Sequence, residues 1–414
     1  MESALSFLEN KKEEIIYYLQ KLIRSPTENP PGDVSRGIEV LREVLDRYDV
    51  SYKLYEPQKG KISIVAEIGE GDKTLILNGH IDVVPAGSGW SIDPYIAEIV
   101  SGRLYGRGAT DMKPGLIALL YAFIANRKLS NGKLVFMAVP DEETGGKFGT
   151  EYLLKNGIVK GDACIIGEPS GELKARRYYI TAGERGLLWV RITTKGKAAH
   201  GSLPMLGDNA IIKMVNIIQR IPMVSDINIM QPKEALPLII EGKRLLEKKH
   251  PKASMALDHF TINIGVIEGG SKVNVVADQC NAELDIRIPI GASTRDAEEL
   301  IRGIIGNYAE LSILNRIEPS FTPASHELIR IAQKAGKEVL GYEPKPIAMT
   351  ATSDARLFRL VDIPTINFGP GYLEVAHKPD EFVYIEDVLK FAKIYCSIIN
   401  GFFKSNYYET PQSK

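Results

Sequence analysis

Apolar residues recur every three or four positions over residues 5–23, which predicts an amphipathic helix. Ser25-Pro26 and Pro30-Pro31-Gly32 break it. Short apolar runs at residues 62–68, 74–77, 134–139, 163–166 and 364–368 then read as strands. Pro114 suits the first turn of a helix running to about residue 125, where its missing N–H would have no partner anyway. Strands alternating with helices predict an α/β fold with a mostly parallel sheet.

The middle of the chain has another rhythm. Residues 186–194 and 282–288 alternate apolar and polar positions as strands do, while 210–221 and 295–306 read as helices. This predicts a small α+β unit over residues 179–317, inserted into a larger α/β domain built from 1–178 and 318–414. No internal repeat or low-complexity tract interrupts the pattern, and only a polar tail follows Lys404.

Composition narrows the partners. The 414 residues are 44% hydrophobic and 25% charged, ordinary values for a globular protein, and long enough for two domains. Fifty-one Lys and Arg against 52 Asp and Glu leave a net charge of -1, so no electrostatic case exists for nucleic acid or a membrane surface. The start carries Glu2 and Glu9 and lacks a basic region with an apolar core behind it, so no secretory signal is expected. The longest apolar stretch, residues 116–125, is too short to span a bilayer. Cys164, Cys280 and Cys396 lie far apart without a C-x-x-C pair, which fits a reducing compartment. The expected location is the cytoplasm.

Candidate chemistry gathers at the strand ends. Asn78-Gly79-His80-Ile81-Asp82 follows the strand at 74–77, Asp141-Glu142-Glu143 follows 134–139, and Gly167-Glu168-Pro169 follows 163–166. A loop, Gly369-Pro370-Gly371, and then His377 follow the last strand. Singly these are weak signals, since a lone histidine is more often a satisfied core or surface group and an acidic pair is usually a solvated turn. Four strands delivering a His or carboxylate to one sheet edge, where open α/β sheets bind ligands, is a much stronger one. Two imidazoles among several carboxylates suit zinc, cobalt or manganese better than calcium.

Local spacing suggests roles. His80 and Asp82 are one residue apart and share a face in extended chain, so Asp82 is placed to accept the second imidazole N–H. Glu142 and Glu143 should point apart, one toward a metal and one toward a proton. Asp111, ahead of the helix at 114–125, could be a helix-terminal charge, but its two oxygens could also bridge two cations.

With these motifs the chain resembles the acetylornithine deacetylase and succinyl-diaminopimelate desuccinylase family, relatives of aminoacylase and of glutamate-type metallo-carboxypeptidases. The resemblance runs from about Leu5 to Phe403. It implies an α/β metallohydrolase catalytic domain with an inserted α+β dimerisation or lid domain. It further implies two divalent metal ions per chain, zinc first, with cobalt or manganese as alternatives. His80, Asp111 and Glu168 would hold one, and Asp111, Glu143 and His377 the other. Asp82 would orient His80, Glu142 would be the general base, and the Asp111-Met112 peptide would be cis. His200 would reach the partner subunit's site in a homodimer formed through the insert. Asn274 would lie near the oxyanion and Arg287 would bind a substrate carboxylate, while Thr352, Gly369 and Gly371 would line the pocket. The implied reaction is hydrolysis of the amide of an N-acyl amino acid, of the acetylornithine, acetyl-lysine or succinyl-diaminopimelate kind, by water activated between the metals. A carboxypeptidase or dipeptidase acting on a short peptide with the same metals is the alternative.

The sequence departs from the family at two places. Thr350-Ala351 stand where glycine often precedes the Thr-Ser-Asp string, and residues 231–257 form a longer insertion than in the smaller desuccinylases. Other classes lack their signatures: no Gly-Lys pair is followed by Ser or Thr, and no Gly-x-Ser-x-Gly is present. A non-catalytic binding relative should have lost a ligand or the base, and all six positions are retained.

Overall fold

The computed structural model describes residues 2–248 and 250–404, so the polar tail after Lys404 lies outside the described residues. Two compact units divide the chain. The first comprises the described residues of Met1–Ala182, Thr322–Pro346 and Ser353–Lys414, the second Gly183–Phe321 and Ile347–Thr352.

In the first unit four neighbouring strands run parallel, in the order Lys133–Val139, Thr74–His80, Ala163–Glu172 and Thr365–Tyr372. Lys61–Ile68 adds antiparallel beside Lys133–Val139, and Tyr52–Gln58 pairs antiparallel with it in turn. Thr74–His80 is buried along its whole length, as a strand covered on both faces must be. Its cover includes the helix Lys113–Ala125, whose residues from Lys113 to Ile124 are all buried. The longest apolar stretch of the sequence is therefore a core helix. Among the described residues no helix is long and apolar enough to cross a membrane.

The second unit is built on an antiparallel sheet in the order Thr261–Gly269, Gln279–Ile288, Gly186–Lys195 and Ala309–Ile317. One face carries the helices Ala210–Ile218 and Thr294–Ile305, packed on Leu188, Val190, Ile192, Leu284 and Ile286. The opposite face presents Trp189, Arg191, Glu283, Asp285 and Arg287, which explains the alternation in the sequence. Asn209 caps the first helix, and Ser293 with Asp296 forms a capping box on the second.

Several expectations need correction. The N-terminal helix is two helices, Glu2–Asn10 and Lys12–Ile23, separated at Lys11. The strands read at 163–166 and 364–368 extend to Glu172 and Tyr372, so Gly369-Pro370-Gly371 is strand and not an open loop. Its glycines are there for close packing. A Cβ on Gly369 would lie 2.0 Å from the Gly167 carbonyl oxygen, and one on Gly115 in the core helix 1.8 Å from that same oxygen. Glycine in a strand reads as a turn from sequence but here permits backbone contact. Residues 347–352 cluster with the second unit because they pack on the helix Leu236–Glu247 of the 231–257 insertion, where a Cβ on Gly242 would meet the Ala348 carbonyl at 2.4 Å.

Candidate metal centre

The parallel strands bring five side chains into two overlapping groups in the first unit. His80, Asp111 and Glu168 form one group and Asp111, Glu143 and His377 the other, with the candidate ligand atoms of each within 4.8 Å of one another. Each is delivered differently. His80 ends the central strand, Glu168 lies within Ala163–Glu172, and Glu143 sits in a short 3₁₀ turn, Glu142–Thr144. Asp111 immediately precedes the cis Asp111-Met112 peptide at the start of the core helix. His377 lies in the turn after Thr365–Tyr372.

Asp111 joins the groups through opposite oxygens. Its Oδ1 is 3.1 Å from His80 Nε2, and its Oδ2 is 3.3 Å from His377 Nε2. Glu168 Oε1 is 3.5 Å from His80 Nε2, and Glu143 Oε1 is 3.2 Å from His377 Nε2. That Glu143 oxygen is buried and lacks the alignment for a hydrogen bond. Imidazole and carboxylate thus face a common point from two sides, as two ligands of one cation would.

The electrostatics agree with such a use. Burial pushes the Glu168 carboxyl well above the usual range, reinforced by Asp111 and offset in part by His80. Burial likewise raises Glu142, against the pull of His80 and with help from Asp354, Glu143 and Asp111. Asp111 resists its own burial through the two histidines and is held well below the usual range. Asp111 and Glu143 push His377 up to about 10. Four crowded carboxylates disfavour one another's charge, and divalent cations at the two groups would relieve that repulsion. The donor set therefore fits a pair of metal ions, with oxygen and imidazole ligands appropriate to zinc, cobalt or manganese.

Asp82 acts differently from the sequence reading. His80 Nδ1 is 2.8 Å from the Asp82 carbonyl oxygen, whereas the Asp82 carboxylate stands 3.6 Å away. The strand ends at His80, and the chain beyond it turns the carbonyl inward. The carboxylate instead accepts the backbone N–H groups of Glu142 and Glu143, at 3.2 and 3.3 Å, and the Asn29 amide at 2.8 Å. It fastens the turn that carries both glutamates.

That turn rests on residues to which the sequence reading gave no part in holding it. Asp141, left-handed at φ 77°, accepts from Lys61 at 2.8 Å and from Thr144 at 2.8 Å. The Asn29 amide also reaches Thr144 and Asp141. Asp354 is buried and accepts the Thr150 hydroxyl at 2.6 Å, while Arg356 donates to the Gly145 carbonyl. A lysine opening a strand and an Asn-Pro-Pro-Gly turn carry no local sign of this; only their convergence does.

Burial opposes ionisation of Asp141, but Lys61, Thr144 and the Phe148 N–H together hold its carboxyl below the usual range. A depressed folded value stabilises the protein above the unfolded pKa, and the gain disappears as pH falls through the folded one. Both partners are almost fully buried, at 6% and 5% exposure. Lys61→Met should therefore cost about 3–5 kcal/mol at neutral pH, read as an earlier urea transition. The deficit should shrink below about pH 4 as Asp141 takes a proton. An unchanged transition at pH 7 would show that the pair contributes nothing.

The remaining candidates lie mostly in the second unit. His200 is exposed, its Nδ1 2.7 Å from the Ser202 hydroxyl, and its segment pairs with Val275. Asn274 occupies the adjoining turn, where its carbonyl accepts the Gly201 N–H at 2.7 Å. Arg287 lies on the open sheet face with its guanidinium on Asp285, 3.0 Å from Oδ2. Thr352 is half-buried at the end of the 347–352 segment. Gly369 and Gly371 are buried in their strand, each in close contact with neighbouring backbone.

A family model described as Peptidase family M20/M25/M40 matches residues 76–401. The chain belongs to that family. It is a metallohydrolase, and its relatives divide between deacylases and peptidases. A Staphylococcus epidermidis protein described as a probable succinyl-diaminopimelate desuccinylase is 29% identical over 408 residues, covering 94% of this chain and 98% of the relative. An acetylornithine deacetylase of Vibrio campbellii is 30% identical over 383 residues, covering 87% and 92%. In fold, this M20 hydrolase is similar to the metallo-carboxypeptidase Sso-CP2 of Sulfolobus solfataricus, with a TM-score of 0.79 at 24% identity over 95% of this chain and 100% of that one.

Proposed function

We propose that this M20 hydrolase cleaves the amide bond of an N-acyl amino acid using two divalent cations per chain, zinc first among them. The observation that carries the reading is Asp111, whose two oxygens face His80 and His377 in two separate ligand groups. His80, Asp111 and Glu168 would hold one ion and Asp111, Glu143 and His377 the other. Glu142, adjacent to a ligand but in neither group, is left free for proton transfer.

Bound there, the ions would polarise the amide carbonyl and lower the pKa of water at the site. Glu142 would take the proton of the attacking water and pass it to the leaving amine nitrogen. The turn anchored by Asp82 would keep Glu142 and Glu143 at their separate tasks. His200, with Asn274 on the adjoining turn, would donate to the oxyanion, and Arg287 would pair with the substrate's carboxylate.

The assembly proposed is a homodimer through the second unit. Its edge strand Thr261–Gly269 exposes Ile264, Val266 and Ile267, and its helix Ala210–Ile218 exposes Ile212 and Val215. Apolar side chains beside an open sheet edge favour pairing with a second copy. Three buried free cysteines support a cytoplasmic setting.

The desuccinylase and deacetylase relatives support the acyl-amino-acid reading, and the carboxypeptidase fold keeps peptides as the second reading. The test is a panel of N-acetyl and N-succinyl amino acids and dipeptides with zinc- and cobalt-loaded protein. Amine release from at least one N-acyl amino acid is expected to outpace every dipeptide. Hydrolysis of dipeptides alone would replace the deacylase reading with the peptidase one. Zinc should saturate near two equivalents and chelation should abolish turnover, whereas full activity at one equivalent would refute the shared Asp111.

A further inference from the structure

Glu381 is fully buried, four residues beyond His377, and no part of the proposed chemistry uses it. A buried carboxylate costs several kcal/mol unless charge and hydrogen bonds compensate it. Four donors surround this one. Its Oε1 accepts the N–H of Thr110 at 2.7 Å and of Asp111 at 3.0 Å. Its Oε2 accepts the N–H of Gly108 at 3.2 Å and the Arg107 guanidinium.

These donors belong to the turn that presents Asp111. Gly106 and Gly108 hold positive φ there, at 155° and 80°, and the Gly108, Thr110 and Asp111 amides point at one anion while Ala109 N–H closes the turn on the Gly106 carbonyl. They precede the core helix and have no helical carbonyl to bond. Two further bonds reinforce the junction, with Gly106 N–H donating to the Glu381 carbonyl at 2.9 Å and the Thr110 hydroxyl to the Phe382 carbonyl at 2.5 Å. Arg107 extends the link, donating to the Ala86 carbonyl at 3.2 Å in the segment that follows Asp82.

We propose that Glu381, with Arg107, is a positioning residue that clasps the Asp111 turn to the His377 turn and thereby sets the affinity of the second cation. The proposal rests on the ligand groups of the proposed function. Asp111 and His377 belong to different loops but share one group, so their separation decides whether that group closes on an ion. Glu381 is carried by the His377 loop, and its carboxylate accepts from three backbone amides of the Asp111 loop. His80 and Glu168 sit on sheet strands and need the clasp less.

The test is zinc titration calorimetry on wild type, Glu381→Gln and Glu381→Asp. Gln turns an NH₂ toward backbone N–H donors, so the second equivalent should bind about 10–100-fold more weakly, with the first affected less. The visible spectrum of the cobalt-loaded protein should change with it, and Glu381→Asp should recover part of the affinity. Folded Glu381→Gln binding both equivalents with wild-type affinity would overturn the clasp. If that variant does not fold, hydrogen exchange on the wild type decides. The Thr110 and Asp111 amides should exchange in step with the 377–382 segment, and independent exchange would overturn the proposal. Wild type that binds fewer than two zinc equivalents would sink the ligand reading instead, and the exchange measurement would still judge the clasp.

Discussion

Glu142→Gln is expected to lower kcat by about 10²–10⁴-fold while zinc content stays at the wild-type level. The amide is nearly isosteric with the carboxylate but cannot accept the water's proton. Glu142 belongs to neither ligand group, so its loss should leave the metal sites whole. Its neighbour should behave in the opposite way. Glu143→Gln removes a charge from the group shared with Asp111 and His377, so the second zinc equivalent should weaken or vanish. The backbone makes this separation sharp. Asp82 holds the N–H groups of both residues, so neither substitution should release the turn. Metal analysis beside single-turnover rates checks the pair. Equal zinc loss in both variants would overturn the division of labour.

His200→Ala should cost about a hundredfold to a thousandfold in kcat, the usual effect of removing one oxyanion donor. The larger consequence concerns which chain supplies it. His200 belongs to the second unit and the ligands to the first. In a dimer built through the second unit, His200 would serve the site of the other copy. Mixing His200→Ala chains with Glu142→Gln chains, each nearly inactive alone, then gives a heterodimer with one doubly damaged site and one intact site. Up to half of the activity per dimer should return. If His200 served its own chain, every site would keep one lesion and nothing would recover. No recovery after verified subunit exchange would rule out the shared site.

Much of the α/β frame was legible because local pattern and tertiary burial agreed. The strands Lys61–Ile68, Thr74–His80 and Lys133–Val139 lie within a residue or a few of the apolar runs that suggested them. The same agreement holds for Gly186–Lys195 and Gln279–Ile288, where one face is core and the other open, so alternation survives in the sequence. Three helices that the reading omitted, Ser35–Arg47, Glu327–Leu340 and Ile385–Lys404, do carry a helical signal. Ile38, Leu41, Val44 and Leu45 in the first are spaced as a buried helical stripe. Strand ends at 163–172 and 365–372 were hidden for another reason. Glycine and proline marked turns by local propensity, while close contact between Gly167, Gly115 and Gly369 kept the chain extended.

His80, Glu142-Glu143, Glu168 and His377 at the ends of four strands were enough to nominate a metal centre, and the family resemblance added Asp111 as its bridge. What the sequence alone determined was therefore the inventory of donors and the strand-and-helix frame that could deliver them. Only the tertiary structure decided their geometry. It turned the Asp82 carboxylate from His80 to the Glu142-Glu143 amides, and it set Lys61 and Asn29 beneath that turn. It also closed Glu381 onto the amides before Asp111. These contacts join residues up to 273 positions apart. Neither partner's neighbours in sequence register such a bond, because a hydrogen bond of this kind depends on where two backbones meet in space and not on the periodicity of either.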